Sequence, residues 1–235
     1  MVPDQMKMAE RRHDGAGGGS FLPTLTARPA VEPLVFVALA LVYNWIVRPT
    51  GNDWLKIPLI TIIVLIPFAS NFVHKDRLRD LGLRFDNFWP SARDVGIATI
   101  IGAVVVVAVG MAAGAGPAFP RGTLVYFLLY PLWGLVQQYA MQSFTFRRTL
   151  EGVEHPGFSA AIAASLFAVV HWPNWPLALM TLVGGYVWCR LFHRQPNLFT
   201  LAISHGWLAV LVRYSWPAEW LHNLRIGPGY WTWTP

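Results

Sequence analysis

Three glutamines and two histidines stand inside long uncharged stretches of this sequence, and they are its strongest candidates for chemistry. Gln137, Gln138 and Gln142 share one stretch, whereas His171 and His205 belong to two others. Strongly polar side chains are costly in an apolar environment, so those found there usually bind something or pair with one another. Gln138 and Gln142 are one helical turn apart, which lets their amides hydrogen-bond to each other or to a shared partner.

The side-chain types limit the chemistry that this set can perform. An imidazole takes up and returns a proton near neutral pH, whereas an amide only orients water or substrate. Zinc usually needs three or four protein ligands, and no Asp, Glu or Cys stands beside His171 or His205, so we predict no metal and no cofactor. Alternatively, these residues only join helices through hydrogen bonds of about 0.6–2 kcal/mol each. Ser204 and His205 point about 100° apart on a helix and form no nucleophile pair by themselves.

The elements that must position these residues follow from the hydropathy pattern. Of the 235 residues, 54% are hydrophobic and only 13% are charged. Most of the long apolar runs approach the roughly 20 residues that span a hydrocarbon core, and backbone amides in lipid must be satisfied within a helix. We therefore predict an all-α, polytopic integral membrane bundle of about seven transmembrane helices. The runs are 33–47, 56–73, 95–117, 122–146, 157–171, 174–192 and 197–215.

Charge and composition divide the chain into three parts. Residues 1–30, polar and glycine-rich, predict a disordered cytoplasmic tail, residues 31–216 a membrane domain, and residues 217–235 a Trp-rich interfacial tail. Most of the 18 lysines and arginines fall on the side of the runs that includes the N-terminus. The positive-inside rule then predicts a multi-pass cell-membrane protein with a cytoplasmic N-terminus and its C-terminus opposite. Membrane lipids are the expected partners; the scattered basic residues do not predict nucleic-acid binding.

Between the second and third runs, residues 74–94 mix charged side chains with Leu78, Leu81, Phe85 and Trp89. This mixture predicts an amphipathic elbow that lies along the cytoplasmic membrane interface. A solvated loop is the alternative interpretation.

The order and spacing of several motifs resemble the CPBP family, the CAAX prenyl protease and bacteriocin-processing group of glutamic-type intramembrane endopeptidases. The resemblance covers residues 75–215 and begins at RDLGLRFDNFW, which is similar to the family's elbow before a membrane helix. The family motif FxxxH is intact as Phe167 and His171, followed by HWPN, which ends at Asn174. The motif HxxxN or HxxxD keeps His205 but has Ala209 at its last position.

The first family motif, EExxxR, is replaced by QQxxxQ at Gln137, Gln138 and Gln142. In the family, the resemblance implies, the paired glutamates and two histidines activate a water that attacks a peptide carbonyl. Glutamine cannot serve as that general base. The simultaneous loss of both acids and of the arginine leaves an uncharged polar pocket rather than an unpaired ion.

We therefore predict one polar site formed by separate transmembrane helices. Its catalytic residues are His171, His205, Gln137 and Gln138, and its substrate-binding residues are Gln142, Phe167 and Asn174.

Three functions remain open for this site. The first is a variant intramembrane peptidase acting on a membrane-inserted or prenylated peptide, with a histidine as the base. The second is a non-catalytic family relative that binds a peptide or lipid-like ligand within the membrane. The third is a non-hydrolytic enzyme that uses the pocket for an isoprenoid or another lipid.

Overall fold

A computed structural model of the chain describes residues 27–234, so most of the tail predicted for residues 1–30 lies outside the described residues. Within the described part the chain is helical without strands, and each of the seven apolar runs falls mainly on a helix. The helices are α1 (Ala27–Val42), α2 (Asp53–Val73), α3 (Phe88–Ala112), α4 (Thr123–Gln138), α5 (Arg147–Val153), α6 (Pro156–Val170), α7 (Trp175–Arg194), α8 (Leu198–Ser215) and α9 (Ala218–Leu221).

Two of these helices continue in wider or tighter turns. A π-helical turn, Tyr43–Val47, and a 3-10 turn, Arg48–Thr50, prolong α1, and a longer π-helical segment, Tyr139–Phe146, joins α4 to α5. All residues from Met141 to Phe146 are buried. π-Helical segments occur frequently at functional sites, and this one carries Gln142.

Five helices of the described part are long and apolar enough to cross a membrane: Pro29–Thr50, Asp53–Val73, Phe88–Ala112, Trp175–Arg194 and Leu198–Ser215. The helix α6 is apolar but shorter. The all-α membrane fold is thus confirmed, whereas the count of seven transmembrane helices is not.

The outer surface of the bundle is apolar, as expected for helices that face lipid. Ile100 and Val104 on α3 and Leu128 and Leu132 on α4 are each between 64% and 67% exposed. Soluble proteins rarely expose large contiguous apolar surfaces, so this surface fits a hydrocarbon environment.

The interior is built around α8, which packs between α3 and α4, while α7 packs against α6. Small residues make the second contact close, because Ala160, Ala163 and Ala164 of α6 are fully buried. On α7, a Cβ atom at Gly185 would lie 2.7 Å from the Cε of Met141 and 3.4 Å from the Cβ of Ala164. The π-helical segment, α6 and α7 therefore meet with little space between them.

The segment between α2 and α3 forms a compact turn that docks on the bundle. Leu81 and Gly82 are buried, whereas Phe85 and Trp89 are exposed, so apolar side chains point both inward and outward. Gly82 has a φ of +79°, and its carbonyl accepts a hydrogen bond of 2.9 Å from the backbone N–H of Leu198. The segment thus closes the end of the bundle at which α8 begins.

Candidate functional site

Close backbone contact between α4 and α8 brings the glutamines to His205. A Cβ atom at Gly206 would lie 2.6 Å from the backbone nitrogen of Pro131, and one at Gly134 would lie 2.7 Å from the carbonyl oxygen of Ala202. Only glycine permits such an approach, and small residues are the usual means of close helix packing in membranes. Since Gly206 follows His205 directly, this contact also fixes where the imidazole meets α4.

The two buried glutamines and His205 form a chain of hydrogen bonds. The Nε2 of Gln142 donates to the Oε1 of Gln138 at 3.0 Å. The Nε2 of Gln138 lies 3.2 Å from the Nδ1 of His205. Because an amide nitrogen can only donate, the Nδ1 of His205 is the acceptor and its Nε2 carries the proton. The predicted contact between the two glutamines is present, and it extends to the histidine.

The Gln142 end of this series of hydrogen bonds has an unused acceptor. The Oε1 of Gln142 is buried and has no hydrogen-bond partner of normal geometry among residues 27–234. The thiol of Cys189 on α7 lies close enough to interact with the Gln142 side chain. A buried amide oxygen with an unused acceptor position is suited to a ligand that brings an N–H or O–H group.

The imidazole of His205 is held flat against an indole ring. Trp188 on α7 stacks on it with a centroid distance of 4.9 Å and an interplanar angle of 13°. The Nε1 of Trp188 donates to the Oγ of Ser204 at 3.1 Å, and this hydroxyl also lies 2.7 Å from the Oγ1 of Thr99. Ser204 therefore positions the indole that supports its neighbour, consistent with the expectation that it is not a nucleophile paired with His205.

Phe167 packs against both histidines. Its ring centroid is 4.7 Å from that of His171 and 6.1 Å from that of His205, both in edge-to-face arrangements. The two imidazole centroids are consequently no farther apart than those two distances together. The structure thus brings together five predicted site residues from α4, the π-helical segment, the end of α6 and α8. They are Gln138, Gln142, Phe167, His171 and His205.

The backbone sets the tautomer of His171. The residue follows the last turn of α6, and its Nδ1 lies 2.7 Å from the carbonyl oxygen of Phe167. A carbonyl only accepts, so Nδ1 carries the proton and Nε2 keeps its lone pair. His171 and His205 are therefore opposite tautomers: the first offers a proton acceptor at Nε2 and the second a proton donor.

The other two predicted residues behave differently. Gln137 is half-buried and makes no side-chain hydrogen bond within the part of the chain that the structure describes. Asn174 is fully buried, and its Oδ1 accepts from the backbone N–H of Leu177 at 3.3 Å, which caps the start of α7. Its Nδ2 donates to two backbone carbonyls. A substrate-binding role for Asn174 stays a prediction, because its amide is already engaged.

The site holds neither a carboxylate bound to a histidine nor a metal-binding group. Neither imidazole is hydrogen-bonded to an Asp or Glu within the described residues, and no group of three His, Cys, Asp or Glu side chains there could hold a metal ion. Among the described residues, the polar groups that the site brings together are imidazoles and amides.

Sequence reasoning missed a second polar centre, at the junction of α2 and α5. Arg148 is completely buried; its Nη1 donates to both carboxylate oxygens of Glu151 at 2.7 Å, and its Nη2 pairs with Asp76. We call Arg148 and its partners the Arg148 cluster. The other partners are Glu32 at 3.8 Å, Ser70 at 2.9 Å and Asn71 at 3.0 Å.

The Arg148 cluster ties α1 to the rest of the bundle. His74 Nε2 lies 3.0 Å from the carboxylate of Glu32 on α1, and Asp76 also pairs with Arg147 at 2.5 Å. In the sequence, Arg147 and Arg148 contributed only to the distribution of basic residues that predicts the membrane orientation. A buried guanidinium with several acidic partners could have been suspected from acidic residues in otherwise basic loops.

An apolar groove of about 670 Å³ lies between the end of α1 and the α6–α7 hairpin. None of the predicted site residues lines it, although Ala168, Val169 and Trp172 do so from the same helical turn and adjoining bend that carry His171. The groove and the polar site therefore use different residues of the same end of α6.

The comparisons with known proteins bear on α4 to α8. Residues 123–211 match the family model described as Rce1-like, type II CAAX prenyl endopeptidase Rce1-like. No curated protein and no solved structure matches the chain. The matched segment contains every predicted site residue. In this segment the chain is therefore similar to the Rce1-like type II CAAX prenyl endopeptidases, which confirms the resemblance to the CPBP family that the motifs indicated.

Proposed function

We propose that this protein is a variant intramembrane endopeptidase that cleaves a membrane-inserted or prenylated peptide with His171 as its base. The observation that carries the proposal is the pair of opposite tautomers. The Nε2 of His171 keeps a lone pair because its Nδ1 donates to Phe167, while the Nε2 of His205 keeps a proton because its Nδ1 accepts from Gln138. A base and a hydrogen-bond donor held near one phenyl ring are the two groups that water-dependent acyl transfer requires.

The reaction proceeds through these groups as follows. The Nε2 of His171 removes a proton from a water molecule as the water oxygen forms a bond to the peptide carbonyl carbon. The carbonyl electron pair moves onto oxygen, where the Nε2–H of His205 stabilises it. The imidazolium of His171 then returns the proton to the peptide nitrogen, and the carbon–nitrogen bond breaks.

The glutamines support this reaction without transferring protons. Gln138 holds the tautomer of His205, and Gln142 fixes Gln138. Gln137, whose side chain makes no hydrogen bond within the described residues, supplies a free amide for the substrate backbone. The unused Oε1 of Gln142 accepts from the same substrate. Without a carboxylate to stabilise an imidazolium, we expect slow turnover, because a well-matched general base contributes about 10²–10⁴-fold.

For the orientation we propose a cytoplasmic N-terminus in a cell membrane. Arg147, Arg148 and the basic residues of the turn between α2 and α3 then lie on the cytoplasmic side, in accordance with the positive-inside rule. Lipid acyl chains surround the exposed apolar faces of α3 and α4.

The test uses purified protein in detergent or nanodiscs with farnesylated peptides and membrane-inserted helices as substrates. We expect cleavage by the wild type and loss of cleavage, by about 10²–10⁴-fold, in His171→Ala. The matched control is His193→Ala, which removes an exposed histidine at the end of α7 and should cleave normally. Wild-type turnover no faster than that of His171→Ala would refute the proposal.

A second candidate is a non-catalytic receptor for a peptide or lipid-like ligand within the membrane. It is favoured by the buried, unpaired Oε1 of Gln142 and by the absence of a carboxylate bound to either histidine in the described part of the chain. The double substitution Gln137→Glu/Gln138→Glu separates the two candidates. If the wild type binds the peptides without cleaving them while the double variant cleaves, the pocket recognises peptides but lacks its base.

A further inference from the structure

The chain beyond α8 folds back onto the bend that carries His171. Residues 217–234 contain α9 and two 3-10 turns, His222–Leu224 and Gly227–Tyr230. This segment, which we call the C-terminal brace, lies outside the stretch that matches the family model.

Asn174 is the main attachment point of the brace. Its Nδ2 donates to the carbonyl oxygens of Leu221 at 2.6 Å and of Arg225 at 3.1 Å. The backbone N–H of Gly227 donates to the carbonyl of Trp172 at 3.1 Å. Since Asn174 is fully buried, these hydrogen bonds are shielded from solvent and costly to leave unmade.

The other edge of the brace rests on the end of α1. Gly227 has a φ of +62°, and a Cβ atom there would lie 3.0 Å from the carbonyl oxygen of Asn44. Trp231 meets Trp45 edge to face, with ring centroids 5.5 Å apart. The brace thus joins α1 to the α6–α7 bend, the two walls of the apolar groove.

We propose that the C-terminal brace positions the imidazole of His171, and that Asn174 is a positioning residue through which it acts. His171 follows the last turn of α6, and the bend beyond it is closed by only a few backbone bonds, including that from the N–H of Asn174 to the carbonyl of His171 at 3.1 Å. The brace adds hydrogen bonds on both Trp172 and Asn174. It therefore fixes the path of the backbone from which the His171 ring projects.

This inference deepens the proposed function, and its effect on cleavage rests on that function. The position of His171 can nevertheless be measured without any activity. If the α6–α7 bend rotates, the hydrogen bond from the Nδ1 of His171 to the carbonyl of Phe167 weakens, and the imidazole is no longer held in its Nδ1–H tautomer.

Two matched substitutions distinguish the effect of losing the hydrogen bonds to the brace from the effect of losing a helix cap. In Asn174→Asp, the side-chain oxygen still caps α7, because Asn and Asp are equally good N-caps, but both hydrogen bonds to the brace are lost. Asn197→Asp makes the same change at the start of α8. There Oδ1 accepts from Thr200 at 3.2 Å and Nδ2 donates to Arg84 at 3.0 Å and to Asn87 at 2.9 Å.

The readout is the ¹⁵N spectrum of histidine-labelled full-length protein, with His171 assigned from His171→Ala. We expect Asn174→Asp to reduce the Nδ1–H tautomer of His171 and Asn197→Asp to leave it unchanged. Gly227→Val provides a second perturbation that keeps Asn174, and it should shift the same signal. An unchanged His171 signal in both Asn174→Asp and Gly227→Val, or an equal change in Asn197→Asp, would overturn the inference.

Cleavage assays on the same samples distinguish the two proposals. If the wild type cleaves, Asn174→Asp should lower kcat by about 10–100-fold with little change in KM, since small misplacements of catalytic groups have effects of this size. If no sample cleaves but the His171 signal moves as expected, the brace stands and the peptidase proposal fails.

Discussion

Replacing Gly206 by alanine should push α4 and α8 apart and break the hydrogen bond between Gln138 and His205. The added Cβ would lie 2.6 Å from the backbone nitrogen of Pro131 and 2.8 Å from its Cα and Cδ atoms. Ordinary van der Waals contact begins near 3.4 Å, so the two helices must separate by about 0.8 Å. No flexible side chain can absorb this displacement, because the atoms in contact belong to the backbone and to a proline ring.

The same displacement reaches the site, because Gly206 adjoins His205. A distance of 3.2 Å between the Nε2 of Gln138 and the Nδ1 of His205 becomes about 4 Å, which is beyond hydrogen-bonding range. Overpacking destabilises by about 1–3 kcal/mol, and unpaired buried polar groups add roughly 1–3 kcal/mol. We therefore expect a large loss of stability and a change in the His205 tautomer.

The matched control is Gly184→Ala on α7, where the nearest atom to the new Cβ is a carbon of the Trp188 ring at 3.5 Å. That substitution should change stability by no more than about 1 kcal/mol, the usual helix-propensity difference between the two residues. The assay is unfolding of the purified protein in mixed micelles of increasing SDS content, together with ¹⁵N spectra of His205. Equal unfolding free energies and an unchanged His205 signal in the two variants would show that the close contact between α4 and α8 does not hold the site together.

Two further substitutions test the framework around the site. Arg148→Ala should destabilise the protein by about 3–5 kcal/mol in the same unfolding assay, because it leaves buried acidic groups without their partner, whereas Lys56→Ala at an exposed ion pair should change stability by less than about 1 kcal/mol. Gly82→Ala should be more destabilising than Gly51→Ala: both residues have positive φ, but a Cβ at Gly82 would meet Phe192 at 2.7 Å and one at Gly51 meets nothing within 4 Å. Equal losses for the two glycine variants would mean that backbone strain, rather than the packing of the turn, dominates.

Much of the candidate site was predictable, for a local reason. Gln138 and Gln142 are four residues apart in a helical run, as are Phe167 and His171, and residues at this spacing share a face whatever the rest of the fold does. The hydrogen bond between the two glutamines and the contact between Phe167 and His171 follow directly from that spacing.

The supporting residues could not be predicted, because their roles depend on neighbours far along the chain. In the sequence, Trp188 and Ser204 are indistinguishable from other residues of apolar helices. In the structure, Trp188 stacks on His205 and is itself hydrogen-bonded to Ser204. Asn174 was predicted to bind substrate because of its place after a family motif. The structure shows its amide bound to carbonyl groups about 50 residues away in the C-terminal brace, and its role in substrate binding stays a prediction.

The sequence by itself determined that this is an all-helical membrane protein, where its apolar runs lie, and that amides and imidazoles are among the polar groups inside those runs. Hydropathy and helical periodicity are properties of short stretches of sequence, so they can be recognised without knowing the tertiary structure. Only the tertiary structure decided that His205 meets Gln138, that Phe167 contacts His205 as well as His171, and that a buried arginine pairs with acidic residues from several parts of the chain. These contacts depend on how closely the helices pack and in which register. Glycines such as Gly206 determine both, because they allow close contact with backbone atoms of residues that are distant in sequence.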